Sequence, residues 1–163
     1  MKTKNLNRYV SVYKELLKSG DVQIAYAELV KYVQKLKTGF SKDFSNDYSV
    51  GNVLQGYMDY TYFYLTNDYL KSRKLKLGLV LNHAEAHFEI WLLGQTKAIQ
   101  EEYWDRLKKT EWIEVTKMPQ YSVFEVILVK KPNFEDLDKL TGEVKEQFKT
   151  VADAILVSLK KVA

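Results

Sequence analysis

The sequence predicts an α+β protein: a two-layer domain in which an antiparallel sheet of about five strands is covered by two N-terminal helices and a long C-terminal helix. Apolar residues recur every three or four positions near both ends of the chain, which is typical of amphipathic helices. Between roughly residues 51 and 130, short runs rich in β-branched and aromatic residues are typical of strands. Short links between neighbouring strands favour antiparallel pairing over a parallel sheet.

The elements are predicted in the order ααβββαββα. The second helix is expected to stop near Gly39, and a short turn or helix is expected between the first two strands. In order, the predicted elements are helices over 6–17 and 21–39, strands over 51–66, 74–81 and 87–93, a helix over 95–109, strands over 112–117 and 122–130, and a helix over about 135–160.

The composition limits the class of protein. The 163 residues include no low-complexity linker, so a single domain spanning residues 1–163 is expected. The absence of cysteine excludes disulfides and thiolate metal sites and fits a cytoplasmic location. No apolar run approaches the roughly 20 residues that cross a bilayer, and the N-terminus does not resemble a signal peptide, so no membrane association is expected. The formal net charge of +4 comes from mixed charges and identifies no partner.

Two histidines flank the turn of the expected central hairpin. His83, Glu85 and His87 could in principle bind a divalent metal. In the zinc-protease motif, however, Glu directly follows the first His and both histidines lie on a helix. The spacing at a β-turn therefore favours two ordinary surface histidines, and no metal or other cofactor is expected.

Carboxylates on the expected strands suggest an enzyme as one alternative. Asp59 or Glu89 could act as a general acid or base beside a tyrosine. A magnesium nuclease using Asp59, Glu89 and Glu125 is disfavoured, because no lysine stands two residues after Glu89 or Glu125. No nucleophile elbow or phosphate loop accompanies them.

The least ordinary segment is Gln55-Gly56-Tyr57-Met58-Asp59, followed by tyrosines at every second position. Aromatic rings with a few polar groups are typical of small-molecule pockets and of protein-binding patches. Equally, the tyrosines could close the core and place their hydroxyls at its rim. We expect the candidate ligand-binding residues to be Gln55, Tyr57, Asp59, Glu89 and Trp91.

The partner of such a surface is an unknown small molecule or protein, and a homodimer that closes the sheet face is one alternative. The basic stretch at 71–76, beside a tyrosine-rich strand, could bind nucleic acid, since basic and aromatic groups together hold phosphates and stack bases. Lysines that alternate with leucines are also typical of a half-exposed strand, which weighs against that interpretation.

The chain resembles an uncharacterised bacterial family, a domain of unknown function, over almost its full length. The resemblance rests on Gly51-Asn52, Gln55-Gly56-Tyr57-Met58-Asp59, Thr61-Tyr62-Phe63, Lys74-Leu75-Lys76, Asn82-His83, Phe88-Glu89-Ile90-Trp91-Leu92 and Gly94. It implies no mechanism. Residues 86–160 also resemble domains attached to restriction-type proteins in bacteria, which implies, by analogy, an accessory role near nucleic acid.

Overall fold

The computed structural model describes residues 5–162. These residues form five helices and six strands. The helices are α1 (Leu6–Leu17), α2 (Asp21–Asp43), α3 (Asp68–Ser72), α4 (Lys97–Leu107) and α5 (Leu137–Val162), and the strands are β1 (Ser49–Val50), β2 (Leu54–Gln55), β3 (Tyr60–Thr66), β4 (Leu75–Asn82), β5 (His87–Gly94) and β6 (Phe124–Val129). The predicted α+β class, with an antiparallel sheet and helices at both ends of the chain, is confirmed.

The chain divides into two compact units, one that ends at Tyr32 and one that begins at Val33. The first unit contains α1, and the side chain of Asn5 caps the N-terminus of this helix by accepting from the backbone N–H of Arg8. The predicted apolar stripe of α1 is present, and none of the residues in this helix is buried. Its exposed members include Leu6, Tyr9 and Tyr13.

The second unit contains the sheet, in which the strands follow the order β1-β3-β4-β5-β6 and β2 also pairs with β3. All pairs are antiparallel. The register places Gly78 opposite Trp91, and Trp91 opposite Glu125. Since residues that lie directly opposite each other share a sheet face, the side chains of β3 to β6 divide into two sets.

One face of this sheet, the core face, is covered by helices of the same unit. Phe63 lies on this face, and its ring packs edge-on against Phe40 of α2 with centroids 5.4 Å apart. Phe148 of α5 packs against the same Phe40 ring at 5.0 Å. The α5 residues that are buried repeat every three or four positions, as predicted: Leu140, Val144, Phe148, Ala152, Ile155 and Leu159.

The helix α2 continues four residues past Gly39, so the prediction that it ends there is wrong. Glycine at this position leaves room for the Lys145 side chain, whose Nζ would lie 2.9 Å from an added Cβ. Lys145 then binds Asp43 at the end of the helix, with Nζ 2.6 Å from Oδ2. The glycine is therefore a packing position within the helix and does not mark its C-terminus.

The long strand predicted from Gly51 to Thr66 is also corrected, because the chain reverses direction at residues 56–59. Gly56 N–H donates to the carbonyl of Tyr60 at 2.9 Å, and Met58 has a left-handed backbone with φ of 62°. The strands β1 and β2 consequently line up along β3 as its antiparallel partners. A high density of aromatic residues hides this turn in the sequence.

The predicted strand over residues 112–117 is absent, and the segment is irregular. Side-chain contacts hold this segment, and strand hydrogen bonds do not. Trp112 stacks on Phe124 with centroids 5.7 Å apart and donates from Nε1 to the Ser158 hydroxyl at 2.8 Å. The side-chain amide of Gln100 also donates to the carbonyls of Pro119 and Ser122.

Candidate functional site

The face of the sheet opposite the core face carries a row of tyrosines, and we call it the tyrosine face. It is defined by Tyr60, Tyr62, Tyr64 and Trp91. Along β3, burial alternates strictly, with Thr61, Phe63 and Leu65 buried on the core face and the tyrosines half-buried on the other. The tyrosine face has its own small apolar cluster of Val80, Trp91 and Leu93, on which the three tyrosines pack.

A cavity of about 350 Å³ lies on the tyrosine face. Its walls come from three neighbouring strands, from the 56–59 turn and from Tyr121. The lining residues are Gly56, Tyr57, Asp59, Tyr60, Tyr62, Tyr64, Lys76, Val80, Trp91, Leu93, Gly94 and Tyr121. The floor is apolar and the rim carries hydroxyl, carboxylate and ammonium groups.

Trp91 is fixed on this floor by a buried carboxylate. Glu89 is 5% exposed, and its Oε2 accepts from the indole Nε1–H of Trp91 at 2.5 Å. Its Oε1 accepts from the amide of Asn82 at 3.1 Å and from His87 Nε2 at 2.5 Å. Since an ionised carboxylate can only accept, the Nε2 atom of His87 is the donor. The carboxylate therefore satisfies three buried or half-buried donors and holds the indole ring in one orientation.

Tyr60 lies at an acidic end of the cavity. Its ring packs edge-on against Trp91 with centroids 4.9 Å apart. Burial raises the pKa of Tyr60, and the negative charges of Glu125, Glu89 and Asp59 raise it further. The phenol is thus kept protonated and can donate a hydrogen bond into the cavity.

Glu125 does not line the cavity, but it is the register partner of Trp91 and its charge acts on Tyr60. Burial raises the pKa of its carboxyl, and the nearby charge of Glu89 adds to the shift. A hydrogen bond from the Ser122 hydroxyl, at 2.9 Å, opposes it. A ligand that brings hydrogen-bond donors or positive charge would relieve the repulsion between these two carboxylates.

The other end of the cavity is basic. Lys76 Nζ lies 3.6 Å from the centroid of the Tyr64 ring, a cation–π geometry. Burial lowers the pKa of Lys76, and burial together with Tyr62 raises the pKa of Tyr64 to about 12. Both groups have therefore lost water that a ligand could replace.

The turn at residues 56–59 holds Asp59 at the rim. Asp59 Oδ1 accepts from the backbone N–H of Tyr60 at 2.7 Å. A Cβ at Gly56 would overlap that same oxygen, so glycine at this position leaves room for the Asp59 carboxylate. The geometry of this short loop thus depends on the pair of Gly56 and Asp59 and places the carboxylate next to Tyr60.

The five residues expected from the sequence take different positions. Asp59 and Trp91 line the cavity, and Tyr57 lies on its rim with its side chain 99% exposed. Glu89 lies on the same sheet face as Trp91, opposite Val80, but is buried and does not line the cavity. Gln55 pairs in register with Thr61 of the core face and is not among the residues that line the cavity.

Sequence reasoning misses Lys76, Leu93, Gly94 and Tyr121 as lining residues. In the sequence, Lys76 is recognisable only as part of a basic stretch, and its place beside Tyr64 depends on the pairing of β3 with β4. The alternation of residues along β4 and β5 is the one signal that could have placed Lys76 and Leu93 on the face of Trp91.

The two histidines do not converge on a metal site. His83 Nε2 and the Thr61 hydroxyl share a hydrogen bond of 2.7 Å, while His87 binds Glu89. Within residues 5–162, no group of three or more His, Asp or Glu side chains has a metal-binding arrangement. His87 is buried and His83 is half-buried, so the prediction of two surface histidines is wrong. Each histidine instead forms a side-chain hydrogen bond, His83 with a residue of β3 and His87 with a residue of its own strand, β5.

The pKa of His83 offers a test of the turn. Burial lowers it below the ordinary 6.5, and the charge of Asp59 partly offsets the shift. Replacing Asp59 by asparagine should lower it further, because the amide keeps the bond to Tyr60 N–H but has no charge. NMR titration of the imidazole measures this, with the exposed Asp105→Asn as a control. A pKa of His83 that rises or stays constant in Asp59→Asn would contradict the arrangement.

The lowered pKa of His83 also makes stability depend on pH. Because the folded chain binds the proton on His83 only at a lower pH than the unfolded chain, the unfolded state holds more protons below pH 6.5. Because of this group, the free energy of unfolding is higher at neutral pH and decreases as the pH falls below 6.5.

Fold and site together define a two-layer α+β domain with an aromatic cavity on the sheet face opposite its helices. The chain belongs to the family described as Domain of unknown function (DUF7000), whose model matches residues 6–159. The chain matches no curated protein and no solved structure. In the part of the chain that the structure describes, no helix has the length and apolar character needed to span a bilayer.

Proposed function

We propose that this protein is a binding domain that holds a small aromatic molecule in the cavity of the tyrosine face. The observation that carries the proposal is the cavity itself, about 350 Å³ in volume and lined by the aromatic rings of β3 and β5. Ligand pockets of proteins have volumes of roughly 300–1,000 Å³ and combine apolar walls with a few polar groups.

The hydrogen bond and the ring contact that hold Trp91 indicate that the site is preorganised for a ligand. Trp91 cannot turn without breaking its bond to Glu89, and Tyr60 packs against the indole edge. A ring that enters the cavity would therefore meet an aromatic surface already fixed in place, so little side-chain entropy is lost on binding. This favours a small planar ligand over a flat protein surface as the occupant.

Proton-transfer chemistry has less support. Glu89 is bonded to three donors and is buried beside Trp91, which suits a positioning residue. Asp59 is engaged by the backbone N–H of Tyr60. These contacts favour binding over the alternative in which either carboxylate acts as a general acid or base.

The proposal is tested with a library of aromatic fragments screened by ligand-observed NMR against the whole chain. Fragments that bind should lose about fivefold or more in affinity for Tyr62→Ala, because a stacked ring pair contributes about 0.5–1.5 kcal/mol beyond its buried area. Tyr62→Phe should retain binding, since it keeps the ring.

The matched control is Tyr13→Ala, which removes an exposed tyrosine of α1 that does not line the cavity. Circular dichroism would verify that each variant is folded. Equal affinities of wild type and Tyr62→Ala for every fragment, or the absence of any bound fragment, would overturn the proposal.

A further inference from the structure

A second cleft, of about 390 Å³, adjoins the aromatic cavity. It is lined by Thr66, Lys71, Lys74, Leu75, Lys76 and Gln95, and we call it the lysine cleft. Lys76 lines both the cavity and the cleft. The two therefore form neighbouring parts of one surface that meet at this ammonium group.

The lysine cleft carries uncompensated positive charge. None of its lining residues is acidic. The ion pairs between described residues join other lysines, Arg106 and His87 to carboxylates and do not include Lys71, Lys74 or Lys76. Three lysines line one cleft together with Thr66 and Gln95, and ammonium, hydroxyl and amide groups are the chemistry that binds a phosphate group.

The charge along the tyrosine face is thus ordered. Asp59 and Glu125 lie near Tyr60 at one end, aromatic rings line the middle, and Lys76 leads into the lysine cleft at the other. The distance along β4 from Lys76 to Val80, both of which line the cavity, is about 13 Å at roughly 3.3 Å per residue. A ligand that fits has a planar ring in the middle, an anion at one end and hydrogen-bond donors at the other.

We propose, on the basis of the proposed binding function, that the ligand is a nucleoside phosphate. Its base would stack on the aromatic rings, which is favourable for any base. Its phosphate would lie in the lysine cleft. The exocyclic amine of adenine, guanine or cytosine would donate to the carboxylates at the acidic end, as acidic side chains accept from base amines in nucleic-acid complexes.

The same chemistry could be supplied by a free nucleotide or by a single-stranded nucleic acid. The acidic end favours the free nucleotide, because a second phosphate continuing past Tyr60 would meet the charges of Asp59, Glu89 and Glu125. A strand has to continue beyond both ends of one nucleotide. The two sources are therefore separated by testing a monophosphate against an oligonucleotide.

Isothermal titration calorimetry of the whole chain tests the proposal with five probes: adenosine monophosphate, uridine monophosphate, adenosine, inorganic phosphate and an adenine octanucleotide. The monophosphate of adenosine should bind about tenfold or more tightly than adenosine, since hydrogen bonds to charged groups have that effect. It should also bind more tightly than inorganic phosphate, which has no base, and than uridine monophosphate, whose base has no exocyclic amine. Adenosine monophosphate should bind at least as tightly as the adenine octanucleotide when the affinity of the octanucleotide is expressed per nucleotide.

The double variant Lys71→Gln/Lys74→Gln should remove the advantage of adenosine monophosphate over adenosine. It should leave the affinity for adenosine within about twofold, because both residues line the lysine cleft and neither lines the aromatic cavity. The matched control is Lys130→Gln/Lys131→Gln, which changes the net charge equally at two exposed residues that do not line either the cavity or the cleft.

Four results would overturn the inference. Equal affinity for adenosine and its monophosphate, or an equal loss in the control variant, would show that the lysine cleft does not hold the phosphate. Tighter binding of the octanucleotide per nucleotide would assign the site to nucleic-acid strands. If aromatic fragments bind in the cavity and no nucleotide does, the nucleoside phosphate is wrong while the proposed binding function stands.

Discussion

Glu89→Ala is expected to lower the free energy of unfolding by about 3 kcal/mol or more, because each buried donor left without an acceptor costs about 1–3 kcal/mol. The variant leaves His87, Asn82 and the indole N–H of Trp91 without their shared acceptor. Urea denaturation measures the loss. Trp91 would also be free to turn, so aromatic ligands should bind less tightly even under conditions in which the variant is folded.

Two further variants make the result specific to the carboxylate. Glu89→Gln keeps one oxygen that can accept from Trp91 but presents an amide N–H₂ group to the remaining donors, so its loss of stability should be smaller than that of the alanine. Glu146→Ala removes an exposed glutamate of α5 and should change stability by less than about 0.5 kcal/mol. Equal stability of wild type and Glu89→Ala would contradict the role of this network.

Phe148→Ala is also expected to lower the free energy of unfolding, by about 3–5 kcal/mol and through a different mechanism. The side chain is fully buried and packs against the rings of Phe40, Phe44 and Tyr48. Alanine would leave a cavity among these rings. Because domains are stabilised by only about 5–15 kcal/mol in total, this one change would remove a large part of the stability.

The control for Phe148 lies on the same helix. Val157 is 52% exposed, and Val157→Ala replaces it with a better helix former, so its effect should be within about 0.5 kcal/mol. A thermal or urea melt of the two variants decides the matter. A Phe148→Ala protein as stable as Val157→Ala would show that the core does not lie between α5 and the sheet.

Much of the fold can be predicted from the sequence because its elements carry strong local patterns. The stripes of α1 and α5 and the alternating leucines of β4 identify their elements without knowledge of any neighbour. The segment at 112–117 resembles a strand in composition, but its position depends on Trp112 reaching Phe124 and Ser158, and contacts over such separations leave no local pattern.

The candidate site can be predicted only in part, for one geometrical reason. Alternation assigns residues to faces only while a strand continues, and the turn at 56–59 interrupts it. Alternation therefore places Gln55 and Asp59 on one face, although they lie on either side of a chain reversal. Lys76 joins the site through the register of β3 with β4, which the sequence of either strand alone does not specify.

The most direct test of the binding site is a map of amide and indole NMR shifts during titration of the whole chain with adenosine monophosphate. We expect the largest changes at residues 56–64, 76–80 and 91–94 and at the indole N–H of Trp91, which lies on the cavity floor beside Glu89. Changes confined to the core-face helices, or an unchanged Trp91 signal at saturation, would contradict the claim that the tyrosine face is the binding site.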